Sequence, residues 1–167
     1  MLQGGKPKSE ALQEALNAAS VADTAENRRV LDFVRNDITQ EIQSLLNADP
    51  WEPSLLEKAS KLASAAADVD RSSAITALRD TVADEIFAYS LILKELQPDE
   101  NTVTLLVSVR GRSPESMVVA TGELVLDRFR VKNVTREYVR LEDTLRKTSR
   151  GINRQFQLYM DGTIRAK

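Results

Sequence analysis

The chain has 167 residues, enough to bury a core of its own, and a formal net charge of −2. It contains neither histidine nor cysteine, which excludes disulfides, thiol nucleophiles, triads with a histidine base and the usual zinc and di-iron sites. We therefore expect no enzyme, no catalytic or metal site and no cofactor. No stretch approaches the roughly 20 apolar residues of a membrane span, so no membrane partner is expected.

Charge is sorted along the chain. Residues 1–100 hold 10 Lys+Arg against 18 Asp+Glu, whereas residues 101–167 hold 13 against 7. This asymmetry predicts a polyanionic partner or an acidic surface on a neighbouring copy. An acidic and a basic surface on one chain make a heterologous contact, which favours head-to-tail assembly into rings or helical stacks.

The first elements in chain order are an arm and a helical region. Residues 1–8 contain two glycines and two lysines, but no strand precedes them, so they predict an N-terminal arm rather than a phosphate-binding loop. Apolar residues then recur at helical spacing over 9–97, which predicts an antiparallel bundle of about four helices. Two prolines in residues 48–53 predict a corner pinned by Trp51.

The fourth predicted helix, over 72–96, carries the strongest apolar stripe. Its members keep a 3-4 spacing over three heptads, and they are Ile75, Leu78, Val82, Ile86, Tyr89, Leu93 and Leu96. We interpret the stripe as a seam within the bundle, and packing between subunits is the alternative.

Alternation of apolar and polar residues then replaces the helical pattern, which predicts a basic β-rich region over 98–167. Residues 103–109 predict the first strand, and 117–121 and 122–131 predict two more. In the last of these strands, the apolar residues change from even positions (Leu124, Leu126) to odd positions (Phe129, Val131). This change predicts a bulge or a bend.

Helical spacing returns in residues 134–148, which predicts one helix there, ending near Gly151. Residues 156–160 alternate again, and Asp161-Gly162 predicts a type I′ turn of a terminal hairpin. The predicted fold class is therefore α+β: an N-terminal antiparallel helical bundle, followed by a C-terminal antiparallel β region with one helix and a terminal β-hairpin.

Three carboxylates form the best candidate for chemistry. Asp80 and Asp84 lie one turn apart on the fourth helix, and Glu85 follows directly. Two oxygens at that spacing suit Mg²⁺, but a solvated helix face paired with neighbouring cations is the favoured interpretation.

Nine basic residues crowd into 128–154. In the extended segment 126–132, three of them alternate with apolar residues, so a strand would display them on one face about 6–7 Å apart. Downstream, cations spaced by four would lie on helix faces. The predicted partner-binding residues are Arg128, Arg130, Lys132, Arg136, Arg140, Arg146, Lys147, Arg150 and Arg154.

We expect a non-enzymatic structural subunit, a homo-oligomer that binds copies of itself or other structural proteins head-to-tail through complementary charge. Its architecture and composition, though no motif, resemble virion connector, neck and tail-assembly components of tailed phages, which implies assembly in the host cytoplasm and then a place in the virion. Otherwise a cytoplasmic protein is expected. The alternative is a nucleic-acid-binding accessory or regulatory protein that uses residues 128–154 for salt-sensitive, sequence-blind binding. An enzyme would have to rely on Asp84, Glu85 and a lysine or tyrosine.

Overall fold

The computed structural model describes residues 7–167, so all but the last two residues of the predicted arm lie outside the described part of the chain. The helices in the described residues are α1 (Lys8–Val21), α2 (Ala25–Leu46), α3 (Pro53–Val69) and α4 (Ser73–Tyr89). The strands are β1 (Ile92–Gln97), β2 (Thr102–Val107), β3 (Glu115–Ala120), β4 (Leu124–Val125), β5 (Phe129–Val134), β6 (Tyr138–Lys147), β7 (Asn153–Tyr159) and β8 (Ile164–Ala166). The α+β class, with N-terminal helices and a C-terminal antiparallel β region, is confirmed.

Packing divides the chain into two compact units. Of the described residues, the first unit comprises 7–46 and 54–83, and the second comprises 47–53 and 84–167. Over these ranges the first unit has 8 Lys+Arg and 11 Asp+Glu, and the second has 14 of each. The acidic stretch 84–100 folds with the basic strands, so the charge difference between the sequence halves is not a difference between the folded units. Only the charge of local surfaces supports an electrostatic contact.

Small residues line the buried face of α3 in the first unit. Ala59, Ala63 and Ala66 lie on one face of this helix and are buried. Arg35 of α2 reaches the carboxylate of Asp70, just after α3, with its Nε 2.7 Å from Oδ2.

Helix α4 is shorter than the predicted helix over 72–96. It ends at Tyr89, where the Ser90 hydroxyl donates to a carbonyl one turn earlier, and Ile92–Gln97 is a strand. The sequence of this strand suits a helix, but pairing with β2 satisfies its backbone and buries Leu93. Tertiary pairing therefore overrides local propensity here.

Two antiparallel sheets form the second unit. The three-stranded sheet has the order β1-β2-β3, and the five-stranded sheet has the order β4-β5-β6-β7-β8. Phe129 of β5, Leu141 of β6 and Phe156 of β7 point to the same side and are fully buried. Trp51, which is 2% exposed, joins this core from the proline corner, with its ring centroid 4.6 Å from that of Tyr89.

The predicted helix over 134–148 is wrong, because Tyr138–Lys147 is a strand between β5 and β7. The inward residues of this strand are Val139, Leu141 and Asp143, and they alternate with period two. The charged side chain at the third inward position conceals that alternation in the sequence.

A turn divides the predicted strand over 122–131 into β4 and β5. Leu126 and Asp127 have φ angles of 54° and 52°, and the Arg128 N–H donates to the Val125 carbonyl at 3.1 Å. The parity change in the sequence therefore marks a full reversal of the chain.

The terminal hairpin is confirmed, but its predicted type I′ turn is wrong. Gly162 has a φ of 83°, its N–H donates to the Tyr159 carbonyl, and the Tyr159 N–H donates to the Thr163 carbonyl. This is a three-residue loop with glycine in the left-handed region, a hairpin connection that is next in frequency to the two-residue turns.

Candidate binding surface

Arg128, the first cation of the predicted row, is buried in the second unit. Its side chain is 9% exposed. Its Nε and Nη2 donate to the Asp143 carboxylate at 2.9 and 2.7 Å, and its Nη1 and Nη2 donate to the Glu85 carboxylate at 3.1 and 2.9 Å. One guanidinium thus binds two carboxylates in bidentate fashion.

The prediction that Arg128 faces a partner beside Arg130 and Lys132 is therefore wrong. Its guanidinium lies 5.3 Å from the ring centroid of Tyr89 and 5.0 Å from that of Phe129. The turn before β5 removes Arg128 from the strand alternation and directs it inward.

Asp143 is the centre of this ion network and is fully buried. Besides Arg128, the Tyr89 hydroxyl donates to it at 2.5 Å and the Leu145 N–H donates at 2.9 Å. The Tyr89 oxygen in turn accepts from Arg154 at 3.3 Å. Every part of the carboxylate therefore has a donor, as a buried charge requires.

The carboxylates and the guanidinium of the ion network stay charged although they are buried. Burial alone would raise the pKa of Asp143 and of Glu85, but hydrogen bonds and positive charge, chiefly from Arg128, outweigh it and lower both pKa values. Burial would lower the pKa of Arg128, and the two carboxylates raise it instead. Burial, and then the charge of Asp143, raises the pKa of Tyr89. The network therefore has no proton donor or acceptor tuned to neutral pH, which favours a structural role.

Two more predicted partner-binding residues have structural contacts. Arg154 is 4% exposed and lies 4.8 Å from the ring centroid of Trp51, and Arg146 donates to Glu85 at 2.9 Å. The helical spacing that grouped these cations does not exist, because a turn separates β6 from β7. Three predicted cations near strand ends and turns are exposed: Arg136, Lys147 and Arg150.

The remaining predicted cations lie on the side of the five-stranded sheet that points away from the core. We call this surface the outer face. The strand register places Arg130 beside Glu142, and Arg140 beside Gln157, which in turn lies beside Arg165. The charged residues of the outer face, over the described strands and the last residue, are Arg130, Lys132, Arg140, Arg165, Lys167 and the carboxylate Glu142.

The outer face also carries an aromatic pair. Tyr138 and Tyr159 are cross-strand neighbours with ring centroids 5.5 Å apart, and the Arg165 guanidinium lies 4.9 Å from the Tyr159 centroid. Arg165 and Lys167 lie on this face although they are not among the nine predicted cations. Their alternation with Ile164 and Ala166 after the hairpin was the available signal.

The three carboxylates on α4 separate into different environments. Asp80 pairs with Arg79 at 3.3 Å, and Asp84 pairs with Arg110 at 3.6 Å. Asp84 lines a groove of about 630 Å³ in the second unit, whereas Glu85 belongs to the buried ion network. Within residues 7–167 no group of three or more metal-ligating side chains is brought together.

No helix in the described part of the chain is both long and apolar enough to cross a membrane. Comparison of the chain with protein-family models, with curated proteins and with solved structures found no match.

Proposed function

We propose that this protein is a non-enzymatic subunit of a larger assembly, which docks through its outer face onto an acidic surface of a neighbouring protein chain. The observation that carries the proposal is the local charge of this surface. Five cations and one carboxylate occupy adjacent strands of the described sheet, while each folded unit is close to neutral. A local positive field of this kind steers acidic partners and fixes their register.

The basic residues separate into a buried group and an exposed group. Arg128 and Arg154 are buried and serve the core. Arg130 and Lys132 are exposed, and the nearest carboxylate to Lys132, that of Glu142, is 3.7 Å away. Exposed charges contribute only about 0–1 kcal/mol each to stability, so binding and folding can be tested separately.

The test compares two double variants with the same change in charge. Arg130→Gln with Lys132→Gln neutralises the outer face, and Lys58→Gln with Arg71→Gln removes two exposed cations from the first unit. Fluorescence anisotropy with labelled poly-L-glutamate, an acidic polypeptide probe, measures affinity. We expect the outer-face variant to bind about tenfold more weakly than the wild type and the control to bind like the wild type. Equal binding by both variants, or no binding by the wild type, would contradict the proposal.

A second candidate function, single-stranded nucleic acid binding, is favoured by the tyrosine pair. Tyr138 and Tyr159 are half-buried on the outer face. Bases stack on aromatic rings that they can reach, and cations beside such rings neutralise phosphates. Tyr159→Leu should then weaken binding of labelled oligothymidylate while leaving the poly-L-glutamate affinity unchanged. Tighter binding of oligothymidylate than of poly-L-glutamate at equal salt, lost in Tyr159→Leu, would replace the first candidate with this one.

The finer predictions about the assembly stay predictions. These are head-to-tail contact between copies and a virion connector, neck or tail component that is built in the host cytoplasm.

A further inference from the structure

Among the edges of the described sheets, strand β3 is long and regular, and its one charge is Glu115 at its first residue. Edge strands are normally shortened, bulged or charged, because their free backbone groups would otherwise pair with another chain. At the other edges, β1 has a register shift between Leu93 and Glu95 and carries Lys94, β4 has two residues, and β8 has three with Arg165 among them. Strand β3 has six residues in regular register with β2, and its Val118 is 69% exposed.

The backbone of β3 shows which groups are free. The Ala120 N–H donates to the Glu123 carboxylate at 2.9 Å, and the Glu123 N–H donates to the Ala120 carbonyl at 3.1 Å. Both backbone groups of Ala120 therefore point away from β2. Ser116, Val118 and Ala120 are alternate residues of a strand in regular register. The N–H and C=O groups of Ser116 and Val118 therefore also point away from β2. Neither has a backbone partner among the described residues.

We propose that β3 pairs antiparallel with β3 of a second copy of this chain, about a two-fold axis that passes beside Met117. Ser116 then lies opposite Val118 of the second copy, and Val118 lies opposite its Ser116. Each pair exchanges two N–H···O bonds, and the two three-stranded sheets join into one continuous sheet. The contact is isologous, because the same residues are used on both sides.

The chemistry of the strand ends selects this register. A shift in one direction places Val118 opposite Pro114, which has no N–H. A shift in the other direction places Ser116 opposite Ala120, whose N–H and C=O are already bonded to Glu123. Pairing about Met117 is the register that uses every free group of Ser116 and Val118.

Charge complementarity supports a second copy as the occupant. In this register Glu115 lies opposite Val119 of the second copy, so no like charges face each other. Antiparallel pairing sets the start of each β3 beside the end of the other, so Arg112, three residues before β3, and Glu123, three residues after it, come to the same end of the contact, and both are exposed. Each end of the contact therefore combines charges of opposite sign.

Sedimentation over a wide concentration range tests the contact through Val118. Val118→Pro removes the outward N–H without removing a bond to β2, since proline suits an edge position, and Val118→Thr keeps that donor as the matched control. We expect the wild type and Val118→Thr to dimerise. Dimerisation of Val118→Pro should be weaker by about tenfold or more. Monomeric wild type at every concentration, or equal dimerisation of both variants, would overturn the proposal.

Cysteine substitution tests the register independently, because the chain has no cysteine of its own. Met117 lies opposite Met117 of the second copy in a pair whose Cβ atoms are about 4.5–5.5 Å apart, whereas the two Val118 residues are diagonal, about 7–8 Å apart. Under mild oxidation Met117→Cys should form disulfide-linked dimers faster than Val118→Cys, although Val118 is the more exposed. The reverse order, or no dimer from either, would exclude this pairing. The outer face is a different surface, so either result leaves the proposed function untouched.

Discussion

Replacing Arg128 with alanine tests whether the buried ion network holds the second unit together. The variant loses four hydrogen bonds to two carboxylates. Asp143 keeps the Tyr89 hydroxyl and one backbone N–H, and Glu85 keeps Arg146. Removing one partner of a buried ion pair costs about 3–5 kcal/mol. Because both carboxylates retain a donor, we expect the lower end, a loss of about 3 kcal/mol in the free energy of unfolding.

Urea unfolding followed by Trp51 fluorescence measures this loss, because the single tryptophan is buried in the same unit. Arg136→Ala, at an exposed turn, is the control and should change the free energy of unfolding by less than about 0.5 kcal/mol. Arg128→Lys should fall between the two, since an ammonium group keeps the charge but not the bidentate geometry. A loss below about 1 kcal/mol in Arg128→Ala would refute the inference that this network stabilises the unit.

Three more predictions concern stability. The lowered pKa values of Asp143 and Glu85 contribute stability that is present above the ordinary carboxyl pKa of about 4 and is lost as pH falls through the lower folded values. Urea unfolding at neutral and progressively acidic pH should show this decline in the free energy of unfolding. A flat profile would contradict the prediction. Tyr89→Phe removes a hydrogen bond to the charged Asp143 and should lower the free energy of unfolding by about 1.5–3 kcal/mol, whereas a change below about 0.5 kcal/mol would show that the bond contributes little. Arg130→Gln with Lys132→Gln should unfold within about 0.5 kcal/mol of the wild type; a larger loss in thermal or urea unfolding would mean that the outer face serves the fold.

The parts of the fold with a clean apolar period could be predicted from sequence. The stripe of α4 and the alternation of β2 each reflect a single buried face, which is the condition under which periodicity reports structure. The corner at Trp51 followed from its two prolines. The segment Ile92–Gln97 was predicted as helix because Leu93 and Leu96 continue the spacing of the α4 stripe, whereas its strand conformation depends on pairing with β2 across a short turn.

Strand β6 and the ion network were not predicted from the sequence, and the physical reason is the same for both. Asp143 occupies an inward position, so the apolar alternation breaks where a buried charge replaces an apolar residue. That charge is stable only because Arg128 and Tyr89 reach it from other elements. A buried arginine and an exposed arginine have the same appearance in a sequence, so the nine predicted cations could not be separated into core and surface residues. The outer face became definable once the register of β5 to β8 was known.

A ¹⁵N-edited NMR titration of the full chain with poly-L-glutamate tests the outer face most directly. The cations that would meet the probe lie on β5, β6 and β8, so their amide resonances identify the surface that it touches. We predict that the largest shift changes cluster at Arg130, Lys132, Arg140 and Arg165, and that they disappear in rising salt as exposed charges are screened. Changes centred on helices α1 to α3, or no saturable change at low salt, would contradict the proposal that this protein docks through the outer face.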